Sequence, residues 1–95
     1  MKDLTPLQSC QVSYMALTSL QTTFAIELNA ATINDYNKSS VEELRQYATI
    51  KKSVAECVRE CYSALISVKP KLCEEIYQKV LAVYIEFLAI QAANI

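Results

Sequence analysis

Four cysteines, Cys10, Cys57, Cys61 and Cys73, are the side chains of this sequence best suited to chemistry. Cys57 and Cys61 stand four apart, so a helix presents both sulfurs on one face. With Cys10 and Cys73 they form a four-thiolate set, the donor chemistry of tetrahedral zinc or of soft Cu(I). Structural zinc sites, however, take at least one close ligand pair from a turn, and no such pair is present. A disulfide-clamped helical hairpin would need a second Cys-x-x-x-Cys, which is also missing. The plainer expectation is that the cysteines are small buried apolar side chains, held as thiols in a reducing compartment. A thiol-based metal- or redox-responsive bundle using Cys10, Cys57, Cys61 and Cys73 is the alternative function, and no cofactor is expected.

Other catalytic parts are absent from the sequence. With no histidine, the commonest proton-transfer and metal-binding side chain near neutrality is missing. With no glycine, there is no phosphate-cradling loop and few cheap tight turns. Glu56 and Glu60 lie four apart, but Lys52 and Arg59 flank them, and the group reads as a solvated face. The chain is not expected to be an enzyme, and no small-molecule substrate is evident.

Helices must position whatever work remains. Thr5-Pro6-Leu7-Gln8 is a start signal, with Thr as N-cap, Pro at the first helical position and Gln to complete a capping box. A polar stretch from Asn34 to Ser40 interrupts the pattern, and Ser39 with Glu42, or Ser40 with Glu43, offers a second capping box. Pro70 closes one helix and opens the next, with Glu74 and Glu75 expected in the new first turn. Helices are placed near 5–33, 40–67 and 70–93. Short connections favour antiparallel neighbours, so the fold is expected to be an all-α, antiparallel three-helix bundle, up-down-up, in one domain.

The faces of these helices differ. In helix 1, Leu7, Cys10, Tyr14, Leu17, Gln21, Phe24, Leu28 and Ala31 form a core seam on alternating three-four spacing. Nearly opposite run Val12, Met15, Ile26 and Ile33, separated by Ser19, Thr22 and Ala30. No charge occurs from Leu4 to Ile26. Helix 2 is conventional: Leu44, Tyr47, Val54, Ala55, Val58, Cys61, Tyr62 and Leu65 face in, and Glu42, Arg45, Lys52, Glu56 and Arg59 face water. Helix 3 has the stripe Cys73, Tyr77, Val80, Tyr84 and Phe87, widened by Leu81, Ile85, Leu88 and Ile95. Counting from the turns places Gln21 level with Lys51, and Cys10 level with Cys61, with Cys57 and Cys73 near that same end.

At 95 residues and 53% hydrophobic, the chain exceeds the ~45–50 % apolar content usual for globular domains. A domain this small buries only about 60–65 % of its unfolded surface, so a second copy or another protein is the expected sink for the excess. The net charge of -1 carries no electrostatic footprint for nucleic acid or anionic lipid. The first helix is too polar for a membrane span, Glu86 interrupts the apolar end of the third, and the start lacks a signal-peptide layout. A cytoplasmic protein–protein interaction module is expected, a small adaptor, chaperone or inhibitor. It would bind a protein partner, a homodimer mate or both through Val12, Met15, Ile26, Ile33, Ile85, Leu88 and Ile95.

Overall fold

The first helix begins as its residues dictate. In the computed structural model, which describes residues 3–35 and 41–93, the Thr5 N–H donates to Gln8 Oε1 at 3.0 Å and the Gln8 N–H to Thr5 Oγ1 at 3.1 Å. This reciprocal pair satisfies two donors that the first turn leaves orphaned. Three helices follow: α1 (Pro6–Asp35), α2 (Val41–Ile66) and α3 (Pro70–Ala93). Each packs against both others in a body of 50 × 25 × 16 Å. The second capping box, at Ser39 or Ser40, lies outside the described residues.

Side-chain pairs give the topology. Tyr14 of α1 meets Tyr62 of α2, with ring centroids 5.6 Å apart, while Asn29 further along α1 meets Lys51 earlier in α2. α1 and α2 are therefore antiparallel. Cys61 meets Cys73 and Tyr47 meets Phe87, so α2 and α3 are antiparallel too. Cys10 with Cys73 and Phe24 with Phe87 make α1 and α3 parallel. This is the up-down-up all-α bundle expected.

The core is graded along its length. One end is filled by the small residues Cys10, Cys61, Ala64 and Cys73. The other is filled by Phe24, Phe87 and Leu28, with Tyr47 and Tyr84 packed against them. Phe24 lies 5.0 Å from Tyr84 and 5.4 Å from Phe87, in the tilted arrangements that aromatic quadrupoles favour.

Several placements correct the periodicity. Leu7 and Tyr62, assigned inward, are about half exposed; Leu7 sits in the first turn beyond the last core layer. Ile76, Cys57 and Ala64 are buried in their neighbourhood instead. α3 is apolar over so wide an arc that spacing alone does not pick its centre. Glu74 and Glu75 fall just past the first turn of α3, because that helix already starts at Pro70.

The turn between α2 and α3 shows what a glycine-free chain must do. The Lys69 N–H bonds Ala64 O at 2.9 Å and the Val68 N–H bonds Leu65 O at 3.1 Å. These are the paired bonds of a Schellman cap, which needs a left-handed residue after the helix. Glycine usually takes that place, but here Val68 does, at φ 52°. A β-branched residue is costly in this region, by roughly 1–2 kcal/mol.

Two outcomes follow from this packing. Val68→Gly is expected to raise stability by about 1 kcal/mol, since relief of the left-handed strain outweighs the added freedom of the unfolded chain. A denaturant titration showing lower stability would contradict the strained cap. Phe24→Ala and Phe87→Ala should each cost about 3–5 kcal/mol, the range for a buried aromatic replaced by alanine. Thermal melts within a degree or two of the parent would show that the aromatic end does not hold the bundle.

Candidate interaction surface

Register within the bundle brings three of the four thiols together. Cys10 from α1, Cys61 from α2 and Cys73 from α3 occupy one layer, and each is 0% exposed. Cys73 Sγ donates to the Cys61 carbonyl at 3.8 Å, and its side chain is in hydrogen-bonding contact with both other thiols. Burial and these neighbouring thiols push the Cys73 thiol up to about 12. Burial also raises Cys61, opposed in part by its bond with Cys73.

Cys57 does not join them. It lies one turn away on α2 and lines a cleft of about 190 Å³ between α2 and α3, with Ile50, Val54, Lys79, Val80 and Val83. Burial raises its thiol as well, and the positive charge of Lys79 works against that rise. Cys57 thus stands one turn from the layer of the other three, at the same end of the bundle, as counting from the turns places it. The α2–α3 packing turns Cys57 toward Lys79. All four cysteines are free and buried. Among the described residues, no group of three or more Cys, Asp or Glu side chains is placed to hold a metal ion.

Gln21 and Lys51 do share a level. Both line a cleft of about 140 Å³ between α1 and α2, with Phe24, Ala25, Leu28 and Val54. Lys51 is nevertheless exposed and donates to Asn29 Oδ1 at the rim. Its stem covers apolar surface while its ammonium reaches out to a polar partner and water. No polar or charged side chain is buried among the described residues.

The outer face of α1 is different in kind. Val12 is 54% exposed, Met15 67%, Ile26 62% and Ile33 75%. At 100° per residue they cluster on the side of α1 opposite Cys10, Leu17, Phe24 and Leu28, which are fully buried. The hydroxyls at the edge of this face are turned back onto their own helix. Thr18 Oγ1 donates to Met15 O at 2.9 Å and Thr22 Oγ1 to Thr18 O at 3.1 Å. Such back-bonding leaves the surface richer in methyl groups than its composition implies. On α3, Ile85 and Leu88 are exposed too, as is Ile90. Sequence reasoning did not single out Ile90, although it stands in the same charge-poor stretch after Glu86. Ile95 lies outside the described residues.

By length and composition, α3 is the one described helix apolar enough to cross a membrane, with mean hydropathy 1.2 over its best 18 residues. Inside the bundle that helix also carries Cys73, Ile76, Val80 and Phe87 of the core. Its hydropathy therefore serves packing on one side and exposed surface on the other. The chain matches no family model, no curated protein and no solved structure.

The thiol layer makes stability depend on pH. A group whose folded pKa is raised contributes fully below its unfolded value and loses that contribution as pH climbs toward the folded value. Cys73 is raised from about 9 to about 12. Stability should therefore hold near neutrality and fall between about pH 9 and pH 12, at up to ~1.4 kcal/mol per pH unit for this one thiol. Denaturant midpoints measured from pH 7 to pH 11 check this, with Cys73→Ala as the control that removes the thiol but keeps the tyrosines. An equally steep fall in the Cys73→Ala variant would show that the Cys73 thiol is not the group responsible.

Proposed function

We propose that the chain is a non-enzymatic protein–protein interaction module, a small helical adaptor, chaperone or inhibitor that works in the cytoplasm. It binds through the outer face of α1, with Val12, Met15, Ile26 and Ile33 as anchors, and Ile85 and Leu88 of α3 extend the surface. One observation carries the reading. α1 exposes four large apolar side chains on the face opposite its core seam, and no charge interrupts the sequence from Leu4 to Ile26. An ordinary exposed helix carries Lys and Glu on its outer side, as α2 does with Glu42, Arg45, Lys52, Glu56 and Arg59.

The thiol-based alternative has less support. Cys57 stands a turn away from the layer of the other three, and burial pushes the Cys57, Cys61 and Cys73 thiols up, toward the protonated, unreactive form. Free cysteines fit the reducing cytoplasm of the proposal.

The proposal is tested by Met15→Glu combined with Ile26→Glu. Both residues lie outside the core, so circular dichroism should show an intact helical bundle. Proteins captured by the parent chain in extract of its native host should be lost, since an unpaired carboxylate buried in an interface is heavily penalised. Capture unchanged in the double variant would mean that this face is ordinary solvent-facing surface. Loss of helicity would mean that it belongs to the fold.

A further inference from the structure

We propose that the occupant of the α1 outer face is a second copy of this chain, paired antiparallel about a two-fold axis through the middle of α1. The inference rests on the binding face proposed above and names its partner.

Geometry favours self-pairing. Val12, Ala30 and Thr23 lie along one side of the face, and Met15, Ile26 and Ile33 along the other. An antiparallel two-fold keeps each side facing its own kind in the second copy. A register centred between Leu20 and Gln21 sets Met15 against the second copy's Ile26, and Val12 within one residue's rise, about 1.5 Å, of the level of its Ala30. Ser19 then meets Thr22 and Thr23 at the axis, where small side chains let the helices approach closely. That centre is also the midpoint of α1 (Pro6–Asp35), so the same register overlaps the two helices along their full length. A helix of 30 residues is about 45 Å long.

Charge and area agree with this. A face without charge selects an occupant without charge, and in this chain the uncharged stretch, Leu4 to Ile26, makes up most of α1. At their observed exposures the four anchors leave roughly 500 Å² open. The surrounding Ser19, Thr22, Thr23 and Ala30 bring the patch toward the ~800 Å² per partner that a stable pair buries.

Light scattering at tens of micromolar, followed by charge substitution, tests the pairing. The parent should have twice the chain mass, and Met15→Glu alone should return it to one. Met15→Glu combined with Ile26→Lys should restore the doubled mass, because the two-fold sets each new carboxylate opposite the other copy's new ammonium. The restored pair should weaken as salt rises. A second readout does not depend on charge. Ser19→Cys should cross-link between copies under oxidised glutathione, while Val12→Cys should not, because its two copies are held about 25 Å apart along the helix. A single-chain mass for the parent overturns the inference, and so does a doubled mass that Met15→Glu leaves unchanged. Failure of the combined substitution to restore assembly, or cross-linking through Val12→Cys, overturns the antiparallel register. A single-chain parent that still captures a partner lost on Met15→Glu with Ile26→Glu would end the two-fold and leave the binding face in place; loss of both would remove the face itself.

Discussion

The heights of the three helices are tied by layers to which each contributes a side chain. Cys10, Cys61 and Cys73 make the layer at one end, and Phe24, Phe87 and Tyr47 make the layer at the other. Interiors pack to the density of organic crystals, so a layer of small thiols and a layer of rings cannot be exchanged by sliding one helix past another. Sliding by a turn would set sulfur against ring space and leave voids. The register so chosen also decides which face of α1 remains outside. Once Cys10, Leu17, Phe24 and Leu28 point to the axis, Val12, Met15, Ile26 and Ile33 must point away from it.

That consequence separates α1 from α2. α2 has one apolar side and one charged side, and burial of the first completes its packing. α1 has two apolar sides, and a three-helix bundle supplies neighbours for one. Threonine back-bonding reduces the polarity of the second side further, because Thr18 and Thr22 direct their hydroxyls to their own helix. The bundle thus fills its core and leaves large apolar side chains of α1 exposed on its surface. Apolar area left open in this way ordinarily marks a binding surface.

Much of this was legible because the signals are local. Thr5-Pro6-Leu7-Gln8 announced a cap that the structure forms bond for bond. Pro70 marked the α2–α3 boundary, and counting outward from the turns placed Gln21 beside Lys51 and Cys10 beside Cys61. Legibility failed where the answer depends on a neighbour's shape. Ile76 and Cys57 are buried because α2 and α3 meet along one particular line of two broad apolar arcs, and periodicity gives each arc's width but not its contact line. Counting from the turns placed Cys57 one turn from the other thiols, but height carries no information about the direction in which the side chain turns, here toward Lys79. The strain at Val68 was hidden for another reason. A missing glycine suggested fewer turns, whereas the helix ends as glycine-capped helices do, with valine in the left-handed position.

The same burial that gathers the thiols removes their chemistry. A thiol attacks or ligates as thiolate, and a layer with no access to water disfavours that charge. Three sulfurs in contact also oppose one another's ionisation, as the rise of Cys73 to about 12 reflects. Cys10, Cys61 and Cys73 are therefore best understood through their volume. They are small enough for three helices to converge at that end while the phenylalanines spread them at the other. The side chains that looked most chemical act through packing, and the uncharged serine, threonine and isoleucine face that looked least chemical is the surface where apolar side chains stay open.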